Sequence, residues 1–330
     1  MKLTSLKKTK LSKEQLIEAY RNALLGRRLD ERLWQLTRIG KTSFNISGQG
    51  AEVGQVAMAM AFEHSKDFFL PYYRDMTACL VWGMTPKDVL LGSFGKEDDP
   101  SSHGRQMPNH YGSKEHNIVT HSSTVSTQIP LATGIGYAAR LEEADYVALT
   151  TTGEGSFNQG EVHEAMNFAA VKQLPVIFVV ENNGYAISVG RKEQYHNETM
   201  AQRGAAYDME GIRVDGNDFA ATYLAFTKAV EKARKNDGPT LIELMVERLT
   251  SHSADDDHSV YRSKEELESL KDKDPLLAFE KQLIDEGYLT PDDVAEMEKE
   301  IKELINKATD EAEAMPDPVA ESIYEQVYAE

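Results

Sequence analysis

Two short apolar runs, each ending in a polar turn and separated by a helix-length segment, constrain this chain more than any other feature. YVALT from residue 146 reads as a buried strand, TTGEGS as a turn, residues 160–172 as a helix, VIFVV at 176–180 as a strand and ENNGY as another turn. Parallel strands need a connection of about a dozen residues or more, usually a helix, so this order is a βαβ unit. The alternation continues. A further strand begins at Ile212, residues 215–218 form a turn and cap, 219–235 a helix, and LIELMV at 241–246 a last strand. Such alternation predicts an α/β fold with a doubly wound, mostly parallel sheet.

The flanks read differently. Ser12 followed by Gln15 is a capping box, and Leu16, Ile17, Tyr20 and Leu24 continue at helical spacing, which predicts a first helix to about residue 37. Residues 52–62 (EVGQVAMAMAF) combine small residues with methionine and predict a closely packed helix. From 71 to 126 the pattern breaks into short pieces rich in Gly, Pro, Ser and His, the signature of binding loops. After Arg262 only helical signals remain, with Pro275 and Pro291 near helix starts. The expected organisation is an N-terminal helical arm (1–45), an α/β domain (46–260) and an acidic helical extension (261–330).

Charge and composition exclude several classes. Acidic residues outnumber basic ones by 54 to 36, and the stretch from 262 to 330 holds 21 of the acids against 8 bases. Such a surface repels nucleic acid. No stretch approaches the roughly 18 to 20 apolar residues that cross a bilayer, so no membrane partner is expected. A single cysteine, Cys79, rules out a disulfide within the chain and a four-cysteine zinc site. The Lys-rich first ten residues are not followed by an apolar segment, so the expectation is a cytoplasmic, unprocessed protein.

The chemistry concentrates at two strand ends. Gly153, Glu154 and Gly155 follow one strand and open onto a helix, where phosphate ligands bind in open α/β sheets. After twenty-six intervening residues come Asn182 and Asn183, again at a strand's carboxyl end. Adjacent strands would bring a carboxylate and a carboxamide to one crevice. Glu154 and Asn183 are hard oxygen ligands of the kind Mg²⁺ accepts, and the cation would bridge them to a diphosphate. On spacing alone, a turn glycine pair with a capping asparagine is the alternative. Two rival sites remain open. Gly134, Gly136 and Ala139 satisfy GxGxxA, although Pro130 and its polar surroundings argue for helix packing over a dinucleotide turn. His252 with Asp255, Asp256, Asp257 and His258 is either a metal cluster or a solvated acidic loop.

At this point the sequence resembles the thiamine diphosphate enzymes, whose signature is Gly-Asp-Gly, about thirty residues, then Asn-Asn, with Glu154 here in place of the aspartate. The likeness extends over PYYRD (71–75), GRQMPNHYG (104–112), SSTVSTQIP (122–130), GEGSFNQGEVHEAMNFAA (153–170), ENNGYAIS (181–188), RVDGND (213–218) and SHSADDDHSVYRS (251–263). Together these blocks are most similar to the alpha chain of the decarboxylating component of 2-oxo acid dehydrogenase complexes, of the branched-chain type. The family usually has proline where Thr124 stands.

The resemblance implies the thiamine diphosphate-binding fold and a set of roles. Glu154, the Asn183 side chain and the Tyr185 carbonyl would hold Mg²⁺, while Tyr73, Arg74 and His252 would hold the diphosphate. Gly153, Gly155 and Ser156 would line the cofactor, with Ser123 and Val125 in the loop beneath the thiazolium. Phe44, Tyr73 and Ser123 would meet the substrate, and Tyr73, Ser123 and His252 would act in catalysis. Ser122, Thr127 and Gln128 resemble a K⁺ site. The resemblance further implies a beta subunit in an α₂β₂ heterotetramer, a lipoyl-bearing dihydrolipoyl acyltransferase core, and a small 2-oxo acid substrate.

Overall fold

The computed structural model describes residues 3–325, 327 and 328. Helix α1 (Lys13–Arg38) starts at the Ser12 capping box, its side chain accepting from the Gln15 N–H while Gln15 reaches back to the Ser12 N–H. Helix α2 (Glu52–Ala59) is buried on all sides, as its small residues and methionines predict, but stops three residues short of 62. Strand β1 (Phe68–Leu70) follows. The segment expected to be loop then contains two helices, α3 (Met76–Trp82) and α4 (Pro86–Phe94). Thr85 and Asp88 form a reciprocal capping box with Pro86 at the first helical position. That signal is visible in TPKD and was masked by the surrounding Gly and Ser.

The crossover unit comprises α5 (Gln128–Leu141), β2 (Ala148–Gly153), α6 (Gly160–Lys172) and β3 (Val176–Asn182). Strand β2 begins later than Tyr146 and runs through the threonines assigned to a turn. Their hydroxyls have partners inside the protein: Thr150 Oγ1 donates to the Leu70 carbonyl at 3.2 Å, and Thr151 Oγ1 to Asp75. Partnered hydroxyls on β-branched residues are compatible with a fully buried strand. After a small antiparallel hairpin, β4 (Tyr185–Ala186) with β5 (Val189–Gly190), come β6 (Glu210–Asp215), α7 (Phe219–Arg234) and β7 (Thr240–Met245). The main sheet has the order β1-β2-β3-β7-β6, every neighbouring pair parallel.

A parallel sheet covered on both faces sends successive side chains into two cores. Leu149, Ile177, Val179, Ile242 and Leu244 point into the core shared with α1, α2 and α7. Ala148, Val176, Phe178, Val180 and Leu241 point into the other, shared with α5 and α6. The chain closes with α8 (Lys264–Ser269), α9 (Pro275–Asp285) and α10 (Pro291–Ala314), the last two with proline in the first turn. Helices α9 and α10 return to α1, where Arg27 pairs with Asp274 at 2.7 Å and Arg28 with Glu298 at 2.5 Å. No helix among the described residues is long and apolar enough to cross a membrane.

Candidate active site

Register places Gly153 at the end of β2 directly beside Glu181 on β3, so Glu154 after β2 and Asn183 after β3 leave the sheet at one crevice. The crevice is lined by Tyr73, Arg74, Val125, Gly153, Glu154, Gly155, Ser156, Asn183, Tyr185 and His252, ten of the residues singled out in the sequence, brought from five separate segments. Tyr72, Gln159, Ala186 and Ile187 line it as well. Ile187 has φ +56°, a left-handed backbone that a β-branched residue adopts at a cost, and such strain concentrates at functional sites.

Glu154 forms the acidic floor. Its carboxylate is fully buried, and no cationic side chain forms an ion pair with it among the described residues. It accepts only long hydrogen bonds, from the Asn183 N–H at 3.3 Å and from Gln194 Nε2 at 3.4 Å. Burial therefore pushes its pKa up. The Asn183 side-chain oxygen Oδ1 accepts from the Tyr185 N–H at 3.1 Å, which folds the ENNGY turn over the floor. Of the two glycines, Gly155 is the constrained one: a Cβ there would lie 2.4 Å from Ala186 Cβ. The close neighbour is thus the ENNGYAI hairpin. At Gly153 a Cβ would meet nothing nearer than Tyr72 at 3.9 Å.

The opposite wall is basic. Arg74 is 5% exposed, lies 5.3 Å from the Tyr73 ring, and has neutral partners. Nη1 donates to the Ser47 carbonyl, and Nη2 lies 3.0 Å from His252 Nδ1 and 3.1 Å from the His252 carbonyl. Burial and the neighbouring Arg74 and Arg248 guanidinium groups bring the His252 imidazole down to about 4, so it is neutral at pH 7. Asp75 does not pair with Arg74. It turns into the protein, accepting from the Tyr72 N–H at 2.8 Å and from Gln55, beside Glu181, whose carboxylate accepts from Tyr72 OH at 3.0 Å. Burial raises the pKa of both acids. Gln55, Tyr72 and Glu181 carried no local sequence signal.

Other expected residues lie outside this crevice. Phe44 is half-buried and does not line it. Ser123 lines a neighbouring depression with Ser122, Thr127, His110 and His121. His110 Nδ1 donates to the Met107 carbonyl at 3.0 Å, which leaves Nε2 to accept from Ser123 Oγ at 2.9 Å. Its ring stacks on His121, which is 4% exposed with both ring nitrogens unpartnered. Ser122 Oγ caps the Thr124 N–H at 3.1 Å and Thr127 Oγ1 donates to the Thr124 carbonyl at 3.1 Å, whereas Gln128 Oε1 is buried without a partner. That orphaned oxygen fits a cation ligand.

The rival motifs resolve into structure. GxGxxA lies inside α5 and not at a strand-to-helix turn, so it offers no phosphate cradle. Gly136 packs as expected, a Cβ there falling 2.4 Å from Val176, but Gly134 has open space around it. The acidic loop after His252 uses its carboxylates for its own turns: Asp256 accepts from the His252 N–H at 2.7 Å, and Asp257 from the Ser259 N–H at 3.0 Å. Cys79 is buried, and burial raises its thiol pKa, which makes it a core residue.

Comparison with known proteins agrees with this geometry. The profile of the Dehydrogenase E1 component family matches residues 20–321. The chain is 49% identical over 319 residues to the 2-oxoisovalerate dehydrogenase subunit alpha of Bacillus subtilis, covering 97% of each protein. It is 35% identical to the mitochondrial 2-oxoisovalerate dehydrogenase subunit alpha of Mus musculus (97% of this chain, 72% of the relative), and 37% identical to that of Caenorhabditis elegans (92% and 70%).

Proposed function

The chain belongs to the dehydrogenase E1 component family, and on that premise we propose that it is the alpha subunit of a branched-chain 2-oxo acid dehydrogenase. Its reaction would take 3-methyl-2-oxobutanoate and the related leucine- and isoleucine-derived acids. The bond between C1 and C2 breaks with release of CO₂, the acyl carbon bonds to one lipoyl sulfur, and the other sulfur is reduced to a thiol. Both electrons therefore end on the disulfide.

One observation carries the reading: across one crevice a buried carboxylate faces a buried guanidinium, and among the described residues neither has an ion-pair partner. A divalent cation bound to a diphosphate satisfies both at once. Glu154, the Asn183 carboxamide and the Tyr185 carbonyl would hold Mg²⁺, and Arg74 with His252 would hold the phosphates, Tyr73 bracing the guanidinium. Thiamine diphosphate, when bound, supplies the nucleophilic carbon and the electron sink for loss of CO₂. Val125 would support the ring from below. Arg74 donates to His252 Nδ1, so the neutral ring carries its proton at Nε2 and would donate that N–H towards the phosphates. Phe44 and Ser123, outside the crevice lining, would meet the substrate at its mouth, where His110 keeps the Ser123 hydroxyl pointed. Gln128 Oε1, with Ser122 and Thr127, would take K⁺ and stiffen the cofactor loop.

The name of the relatives, subunit alpha, supports a beta partner that completes the pocket and an acyltransferase that receives the product. An isopropyl group has two carbons more than the methyl of pyruvate, and at about 0.8 kcal/mol per buried CH₂ the two together give roughly tenfold in preference. Comparing kcat/KM for 3-methyl-2-oxobutanoate and pyruvate on the assembled enzyme tests the substrate. A ratio favouring pyruvate refutes the branched-chain assignment and leaves the cofactor assignment standing.

A further inference from the structure

Asp30 stands in the middle of α1, 4% exposed and away from the crevice lining. Its carboxylate holds the loop that follows: Oδ2 accepts from the Gly48 N–H at 2.7 Å and Oδ1 from Gln49 Nε2 at 3.3 Å. That loop carries the basic wall on its carbonyls. Ser47 accepts from Arg74 Nη1, Asn45 from the Ala254 N–H at 2.9 Å, and Gln49 from the Leu249 N–H at 3.1 Å. One side of the loop is already in contact, since a Cβ on Gly48 would fall 2.6 Å from the Arg74 carbonyl. Asp30 grips it from the other side.

The carboxylate is not there for an ion pair. Asp30 forms no salt bridge among the described residues, and the nearby Arg27 is committed to Glu52 and Asp274. Aspartate is a weak residue for a helix interior, and burying its charge without a cation is unfavourable. Burial raises its pKa to about 6, so at neutral pH it is ionised at a cost in stability. A group that destabilises its own helix yet fixes a neighbouring loop has the profile of a positioning residue.

We propose that Asp30 positions the cofactor-binding wall: by fixing the 45–50 loop it makes Arg74 and the His252 segment face the diphosphate together, although it touches neither. The proposal rests on the cofactor reading above and assigns a role outside its ligand set. The test is Asp30→Asn in the full-length chain assembled with its beta subunit. Asparagine keeps the shape but removes the charge, and its NH₂ meets a donor, either the Gly48 N–H or Gln49 Nε2.

Three measurements separate positioning from folding. The thermal midpoint at pH 7 should equal or exceed that of the wild type, because an unpaired buried charge is gone. The Kd for thiamine diphosphate with Mg²⁺ should weaken about tenfold, the scale of one charge-assisted hydrogen bond. Without cofactor, hydrogen exchange at the Gly48, Leu249 and Ala254 amides should quicken. Unchanged affinity and exchange overturn the proposal, and so does failure of the variant to fold, which would make Asp30 structural. Should the wild type itself bind no cofactor, the cofactor reading fails, while the exchange rates still decide whether Asp30 holds the loop.

Discussion

Glu154 and Asn183 are ligands at strand ends and not core fillers, so their loss should be felt in binding more than in folding. Glu154→Ala and Asn183→Ala are each expected to abolish Mg²⁺-dependent cofactor binding in calorimetric titration, with thermal midpoints close to the wild type. Unchanged affinity in both would sink the metal assignment. His252 gives a pH signature. Its folded pKa, about 4, lies below the ordinary value of 6.5. The unfolded chain therefore binds the proton first, and stability should fall as pH drops through that window. A bound diphosphate favours the imidazolium, so the His252 ring titration, followed by NMR, should move upward when cofactor is added. A ring that titrates near 6.5 without cofactor and is indifferent to it would contradict both the desolvated wall and the phosphate contact. The sequence disclosed Glu154, Asn183, Arg74 and His252 because each stands in a motif beside turn residues. Gln55, Tyr72, Glu181 and Asp30 stayed hidden, since a buried polar residue is recognised only through its partner, and Gln55 reaches Glu181 across 126 positions.

Elements were readable where period and caps agree. The β2–α6–β3 crossover and the Ser12 box declare themselves, while α3 and α4 were lost among glycines and serines although Thr85 caps the second. The Thr151 hydroxyl bonded to Asp75 shows why the β2 boundary was misplaced, because a threonine run reads as a turn until a partner is found for each hydroxyl. The segment from 250 to 258 has little regular structure, braces itself through Asp256 and is tied to the rest of the protein by bonds that include those to Asn45 and Arg74. It should be cut by protease more slowly when thiamine diphosphate and Mg²⁺ are present, because the phosphates add contacts at His252. Equal cleavage rates with and without cofactor would count against His252 as a phosphate ligand.

On the proposed function the whole chain would supply one half of a catalytic centre. Leu131 and Leu141 of α5 and Phe168 and Val171 of α6 are exposed on the outer face of the sheet layer, an apolar surface consistent with cover by a second protein. Decarboxylation by the purified chain with thiamine diphosphate and Mg²⁺ should stay at background until a beta chain is added, and turnover by the alpha chain alone would overturn the shared-site reading. The return of α9 and α10 to α1 has a consequence for synthesis. Arg27 leaves the ribosome 247 residues before its partner Asp274, a delay on the order of ten to fifty seconds at ordinary elongation rates. Through that interval Glu52 is the carboxylate available to Arg27, and the part of the α1 apolar face that α9 and α10 cover stays open until the last helices arrive. Ribosome stalling between β7 and α9 would release a product with both strand-end ligands present and its first helix docked on α2 and α3 but bare where α9 and α10 return.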